Sequence, residues 1–255
     1  MRRREKFVIF SILLSIGLLA VQYISLDWRY LAIAIFMIIS YLASAWALSD
    51  DLQRYECLTI LPMPAMYAGS VALFYFLLPG NILSKFFILS IFGVGIYALF
   101  LTSNIYSVAK GRTIQLLYAA HAVGLLFTLL TSLLFTNSIF SLRLPFYFNI
   151  ILMALVHAPL IFMSLWSINL ESTINKELLA YTVLLTFLIV ELTTILSLLP
   201  FPVWYSSLFM MGFLYIALGI LHSFLRGRLF RNTTQEYFLV AIFIAFLFLL
   251  LFPLK

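Results

Sequence analysis

Residues 90–131 read SIFGVGIYALFLTSNIYSVAKGRTIQLLYAAHAVGLLFTLLT. Two long apolar runs flank a short basic turn that carries Lys110 and Arg112. Each run is long enough, as a helix rising 1.5 Å per residue, to approach the ~30 Å of a bilayer's hydrocarbon core. Each also hides a polar stripe. Ser90, Gly93, Tyr97 and Asn104 share one helical face, and Thr113, His121, Gly124, Thr128 and Thr131 share another. A turn centred near Ala109 makes an antiparallel hairpin that sets Tyr97 level with His121 and Ser90 level with Thr128. Such stripes serve in two ways. Small residues let helix backbones approach and share hydrogen bonds. Alternatively, they line a polar interior inside a membrane.

The same pattern extends along the 255 residues. Mean hydropathy is +1.14, 65% of residues are hydrophobic and 9% are charged, against about 25% charged in a soluble domain. Backbone groups in lipid must be satisfied within the segment, so runs of this length are helices. The ~10-residue alternation of an outer-membrane strand is absent. No polar stretch is long enough for a soluble domain. The reading is all-α: a single integral membrane domain over 1–255, a polytopic bundle of about nine transmembrane helices. The spans fall at 7–24, 30–48, 57–78, 84–103, 113–135, 146–168, 178–199, 204–225 and 237–253. Span three carries Pro62 and Pro64, which remove backbone donors and should break its first turns. Pro159 should bend span six. Eight spans, with the last lying on the membrane, is the alternative.

Charge sets the orientation. With the N-terminus inside, eleven of the 15 basic residues fall on inner segments: Arg2, Arg3, Arg4, Lys6, Arg54, Lys110, Arg112, Lys176, Arg226, Arg228 and Arg231. Only Arg29, Lys85, Arg143 and Lys255 fall on outer ones. Cytoplasmic loops carry the excess of Lys and Arg, so the N-terminus is expected inside. The net charge of +6 is thereby accounted for by orientation and by anionic lipid headgroups at the inner face, and implies no nucleic acid. Cys57 is the only cysteine, which excludes an internal disulfide and a thiolate metal site.

No His-Glu-x-x-His helix, Gly-x-Ser-x-Gly elbow, Walker loop or dinucleotide-binding glycine fingerprint is present. No cofactor or metal is implied. Two constellations remain. The intramembrane one is Glu191, His157, His121, Tyr97 and Asn149. An ionised carboxyl at the centre of a spanning helix costs about 2.5–3.5 kcal/mol, so Glu191 is expected to turn inward. His157 lies at nearly the same depth on the preceding span, and it or another residue of that span's polar stripe is the expected partner. The inner-face constellation is Asp50, Asp51, Glu56, His222 and Arg226, with Lys110 and Arg112. Carboxylates there would suit a divalent cation and the cations a phosphate, although charges in turns ordinarily serve orientation.

Three functions are consistent with these residues. The first is a small transporter or permease-like protein with a protonatable intramembrane site. The second is a structural or assembly subunit of a membrane complex, with membrane-protein partners. The third is an inner-face enzyme acting on a lipid-linked phosphate. The expected location is the cell membrane, as a multi-pass protein of a bacterial cytoplasmic membrane. One internal similarity stands out: 56–61 reads ECLTIL and 191–196 reads ELTTIL, each followed by a Pro-x-Pro.

Overall fold

The computed structural model describes residues 3–49, 52–53, 55–77, 82–109, 115–171 and 173–251. All regular structure among them is helical. The helices are α1 (Arg3–Gln22), α2 (Arg29–Ala47), α3 (Glu56–Thr59), α4 (Pro62–Tyr75), α5 (Ile82–Val108), α6 (Leu116–Ser141), α7 (Phe146–Asn169), α8 (Lys176–Leu198), α9 (Val203–Leu225) and α10 (Arg231–Leu251). With α3 and α4 taken as one interrupted span, nine helices among the described residues are long and apolar enough to cross a membrane. The chain is a helical bundle of multi-pass membrane type.

The break in span three falls where the prolines put it. The first turn of helix, α3, ends at Thr59, and α4 starts with Pro62 in its first position, where a missing N–H costs no hydrogen bond. Elsewhere several spans run longer than their apolar cores. The expected turn at 137–145 begins late, because α6 continues to Ser141. Asn137 and Ser138 are buried, and the Ser138 hydroxyl donates to the Leu134 carbonyl 2.8 Å away. Polar residues at a helix end thus read as a turn while they are packed as helix. Likewise α10 starts at Arg231, inside the segment expected to be a basic turn. The helix α7 runs unbroken through Pro159.

The chain divides into two compact units, Met1–Phe127 and Thr128–Lys255. In the first, α4 is central. Eleven of its residues are buried, and it packs against α2 and α5, while α1 packs against α5 and α2. Tyr67 anchors this core. Its ring stacks on Phe92 at 5.7 Å and meets Phe127 edge-on at 5.1 Å. Gly95 leaves room for it, since a Cβ there would lie 2.5 Å from the Tyr67 hydroxyl.

In the second unit α7 is central, lying chiefly along α8 and also against α9. The buried face of α8 is Thr182, Leu185, Ile189, Thr193 and Leu196, a single stripe at helical spacing. The last helix, α10, rests on α9, where Gly219 leaves room for the Tyr237 ring.

Candidate functional site

The expected hairpin pairing is displaced. His121 is buried, but the ring beside it belongs to Tyr106, with centroids 5.7 Å apart. The Tyr106 hydroxyl donates to the Ala120 carbonyl at 2.9 Å. Tyr97 is half-buried and forms no hydrogen bond among the described residues. The cause is the position of the turn. The helix α5 runs on to Val108 and α6 begins only at Leu116, so the level-matched residues lie closer to the connection than a turn at Ala109 implies. Ser90 is exposed and donates to the Phe86 carbonyl of its own helix.

Ser107, which follows Tyr106 on α5, is a partner of the first unit's buried carboxyl, Glu56. Glu56 is 0% exposed. Its Oε2 accepts from the Gln53 N–H at 2.9 Å and from the Ser107 hydroxyl at 2.9 Å. Glu56 opens α3, and the first N–H groups of a helix have no intrahelical partner. The Glu56 carboxylate instead reaches back to the N–H of Gln53, three residues earlier and ahead of the helix, and across to a second donor on α5. Tyr106 and Ser107, about 100° apart on α5, address His121 and Glu56 respectively. Neither was singled out by sequence pattern, although Ser107 continues the face of Asn104 three residues on. Asp50, Asp51, Lys110, Arg112 and Thr113 lie outside the described residues. Among the described residues no group of three His, Cys, Asp or Glu side chains gathers to hold a metal ion.

The second unit contains the other histidines. His157 is 0% exposed. Its Nδ1 lies 3.0 Å from the Met153 carbonyl and its Nε2 lies 2.8 Å from Ser132 Oγ. A carbonyl only accepts, so Nδ1 carries the proton and Nε2 accepts from the Ser132 hydroxyl. The ring is neutral and both nitrogens are satisfied. His222, expected at the inner face, is buried within the unit, with Nε2 3.0 Å from Ser164 Oγ. Arg226, just past the end of α9, is half-exposed. Asn149 donates through Nδ2 to Ser197 Oγ at 3.3 Å and to the Leu144 carbonyl at 3.4 Å.

Glu191 does not join them. It sits on the exposed side of α8, among Leu184, Phe187, Leu188, Ile195 and Leu198, and forms no hydrogen bond or ion pair among the described residues. The expected pairing with His157 is overturned, because both His157 nitrogens are occupied on α6 and α7. Glu191 lies two positions past the buried Ile189, which turns it about 200° away from the α7-facing stripe. It is roughly 22 Å from Lys176 and 10 Å from Leu198 along the axis, well inside the span.

One turn further along, Ile195 joins Leu192 in the wall of an open groove of about 500 Å³. The remaining walls are Phe209, Phe213 and Ile216 of α9 and Ala241, Ile244 and Phe248 of α10, so the lining is apolar throughout. A carboxyl beside an apolar groove offers one charge-assisted hydrogen bond and a large packing surface. Comparison with protein-family models, curated proteins and solved structures finds no match to this chain.

Proposed function

We propose that the chain is an assembly subunit of a membrane complex, and that the outward face of α8 docks a transmembrane helix of another protein. That helix carries a basic or amide side chain at the depth of Glu191. The observation that carries the reading is the Glu191 carboxyl, held mid-span on an exposed apolar face beside the α8–α9–α10 groove. Intramembrane carboxyls face a protein interior or a partner, because lipid supplies no donor. Among the described residues a second copy of the chain offers no exposed histidine, since His121, His157 and His222 are all buried. We locate the complex in a bacterial cytoplasmic membrane, in keeping with the short connections between spans.

The test uses synthetic transmembrane peptides co-reconstituted with the full chain in phosphatidylcholine vesicles, with association read by energy transfer. A Leu-Ala peptide bearing one central Lys is expected to associate at least about tenfold better than its all-apolar counterpart, a difference of one charge-assisted hydrogen bond. Glu191→Gln should remove most of that preference. Equal association of both peptides, or self-association of the chain that depends on Glu191, would reject the reading.

The transporter reading keeps one supporting observation, the buried Glu56 carboxyl with Ser107. It is tested by imposing a pH gradient on proteoliposomes loaded with a pH-sensitive dye. Proton flux that Glu56→Gln abolishes is the expected result. Flux identical in the variant and the unaltered chain would end that reading.

A further inference from the structure

The helix α8 has two sides. Thr182, Leu185, Ile189, Thr193 and Leu196 are buried. About 180° round the helix from them lie Ala180, Leu184, Phe187, Glu191, Thr194 and Leu198. All six are exposed except Thr194, which is half-buried. A second helix crossing α8 at about 20° meets positions spaced alternately four and three residues apart. On the side of Glu191 those positions are these six.

The polar centre of this stripe narrows what can lie on it. Glu191 has no hydrogen bond or ion pair among the described residues. Thr194 is three positions further on, so the two side chains leave the same face with Cβ atoms about 5–6 Å apart. The Thr194 hydroxyl donates its one hydrogen to the Val190 carbonyl of its own helix, 2.9 Å away. Toward a neighbour it therefore offers only a lone pair. A carboxylate likewise only accepts.

Two acceptors side by side call for a group with several donors. A Lys ammonium carries three and an Arg guanidinium five, and each also brings the opposite charge. A Gln or Asn amide brings two donors together with an acceptor of its own, which lipid leaves unmatched. We propose that the partner helix presents a lysine or arginine to Glu191 and Thr194 together, and lies along α8 from Ala180 to Leu198 with Leu184 and Phe187 packed against it. The inference rests on the docking reading given above and narrows it: the recognised group is a cation, and Thr194 is a recognition residue beside Glu191. A single polar position in an apolar seam also fixes register, so the partner's cation is flanked by apolar residues three or four and seven positions away.

The test places the full chain in phosphatidylcholine vesicles with three Leu-Ala transmembrane peptides whose central residue is Lys, Gln or Leu, and reads association by energy transfer. The Lys peptide is expected to associate about fivefold better than the Gln peptide. Thr194→Val should cut the preference for Lys over Leu about threefold, and Thr194→Ser should restore it. Leu184→Ala and Phe187→Ala should each weaken the Lys peptide about threefold or more. Leu179→Ala and Leu188→Ala, at exposed positions about 80–100° round the helix from the centre of the stripe, should change it less than about twofold. The four alanine variants alter exposed side chains and remove no interior contact of the chain.

A Lys peptide that does no better than the Leu peptide overturns the docking reading, and this inference with it. A Lys preference that stands while the Gln peptide associates equally well, or that Thr194→Val leaves intact, overturns the inference alone. Equal losses from alanine on and off the stripe overturn the placement of the partner along it, again with the docking reading left standing.

Discussion

The segments 56–61 and 191–196 are near copies in sequence and opposites in structure. Glu56 is sealed in the first unit with two hydrogen bonds, and Glu191 faces outward from the second with none among the described residues. What separates them is the distance to the following proline. Pro62 comes six residues after Glu56 and opens a new helix, so Glu56 stands at the head of a four-residue turn. Pro200 comes nine residues after Glu191 and lies beyond the end of α8, so Glu191 stands deep within an established helix. Just ahead of a helix start, a backbone N–H such as that of Gln53 is free to bond a carboxylate. Inside a helix every backbone N–H is already engaged, and the side chain depends wholly on what lies across from it. The same residue type thus becomes a local structural pin in one segment and a group directed at something outside the unit in the other.

This contrast can be broken at either glutamate. The larger effect is expected at Glu56. Glu56→Ala leaves the Gln53 N–H and the Ser107 hydroxyl facing a void, and should destabilise the protein by about 2–4 kcal/mol. Glu56→Gln keeps one acceptor oxygen and should cost about half as much. Denaturant titration in mixed micelles measures both. An alanine variant as stable as the unaltered chain would show that the two bonds contribute nothing and that the segments differ only in exposure. The smaller effect is expected at Glu191. Glu191→Leu should leave the unfolding midpoint of the isolated chain unchanged or raise it, because it removes a group that lipid solvates poorly. A clear drop in that midpoint would mean that Glu191 has an internal partner after all, and the contrast would fail.

The fold was legible because its causes are local. Runs near 20 apolar residues fix the number of spans, and Pro62 fixes the interruption before α4. The helix ends were harder to read. Asn137, Ser138 and Arg231 have the composition of turns and are helical: the first two are packed inside the second unit near the end of α6, and Arg231 opens α10. Among site residues, His121, His157 and Asn149 of the intramembrane set are buried, and so is His222, which was expected at the inner face. Their partners did not follow. Tyr106 reaches Ala120 and Ser132 reaches His157 through the rotation of one helix against another, which periodicity on a single helix does not encode. Glu191 was misread for a related reason. Cost alone suggested that it must face inward, but Ile189 and Thr193 already set which side of α8 meets α7, and Glu191 lies on the other.

The way α10 is attached bears on how the protein is made. No residue of its apolar span is buried, and it is seated on α9 through Gly219 under Tyr237, Gly212 under Ile244 and Phe248 against Phe209. A helix that adds nothing to the interior is not needed to complete it. The core of the second unit can therefore close around α7, α8 and α9 while the last helix is still being synthesised, at roughly 5–20 residues per second. The helix α10 then enters the bilayer alongside a finished surface, and the glycines on α9 form the berth that receives it.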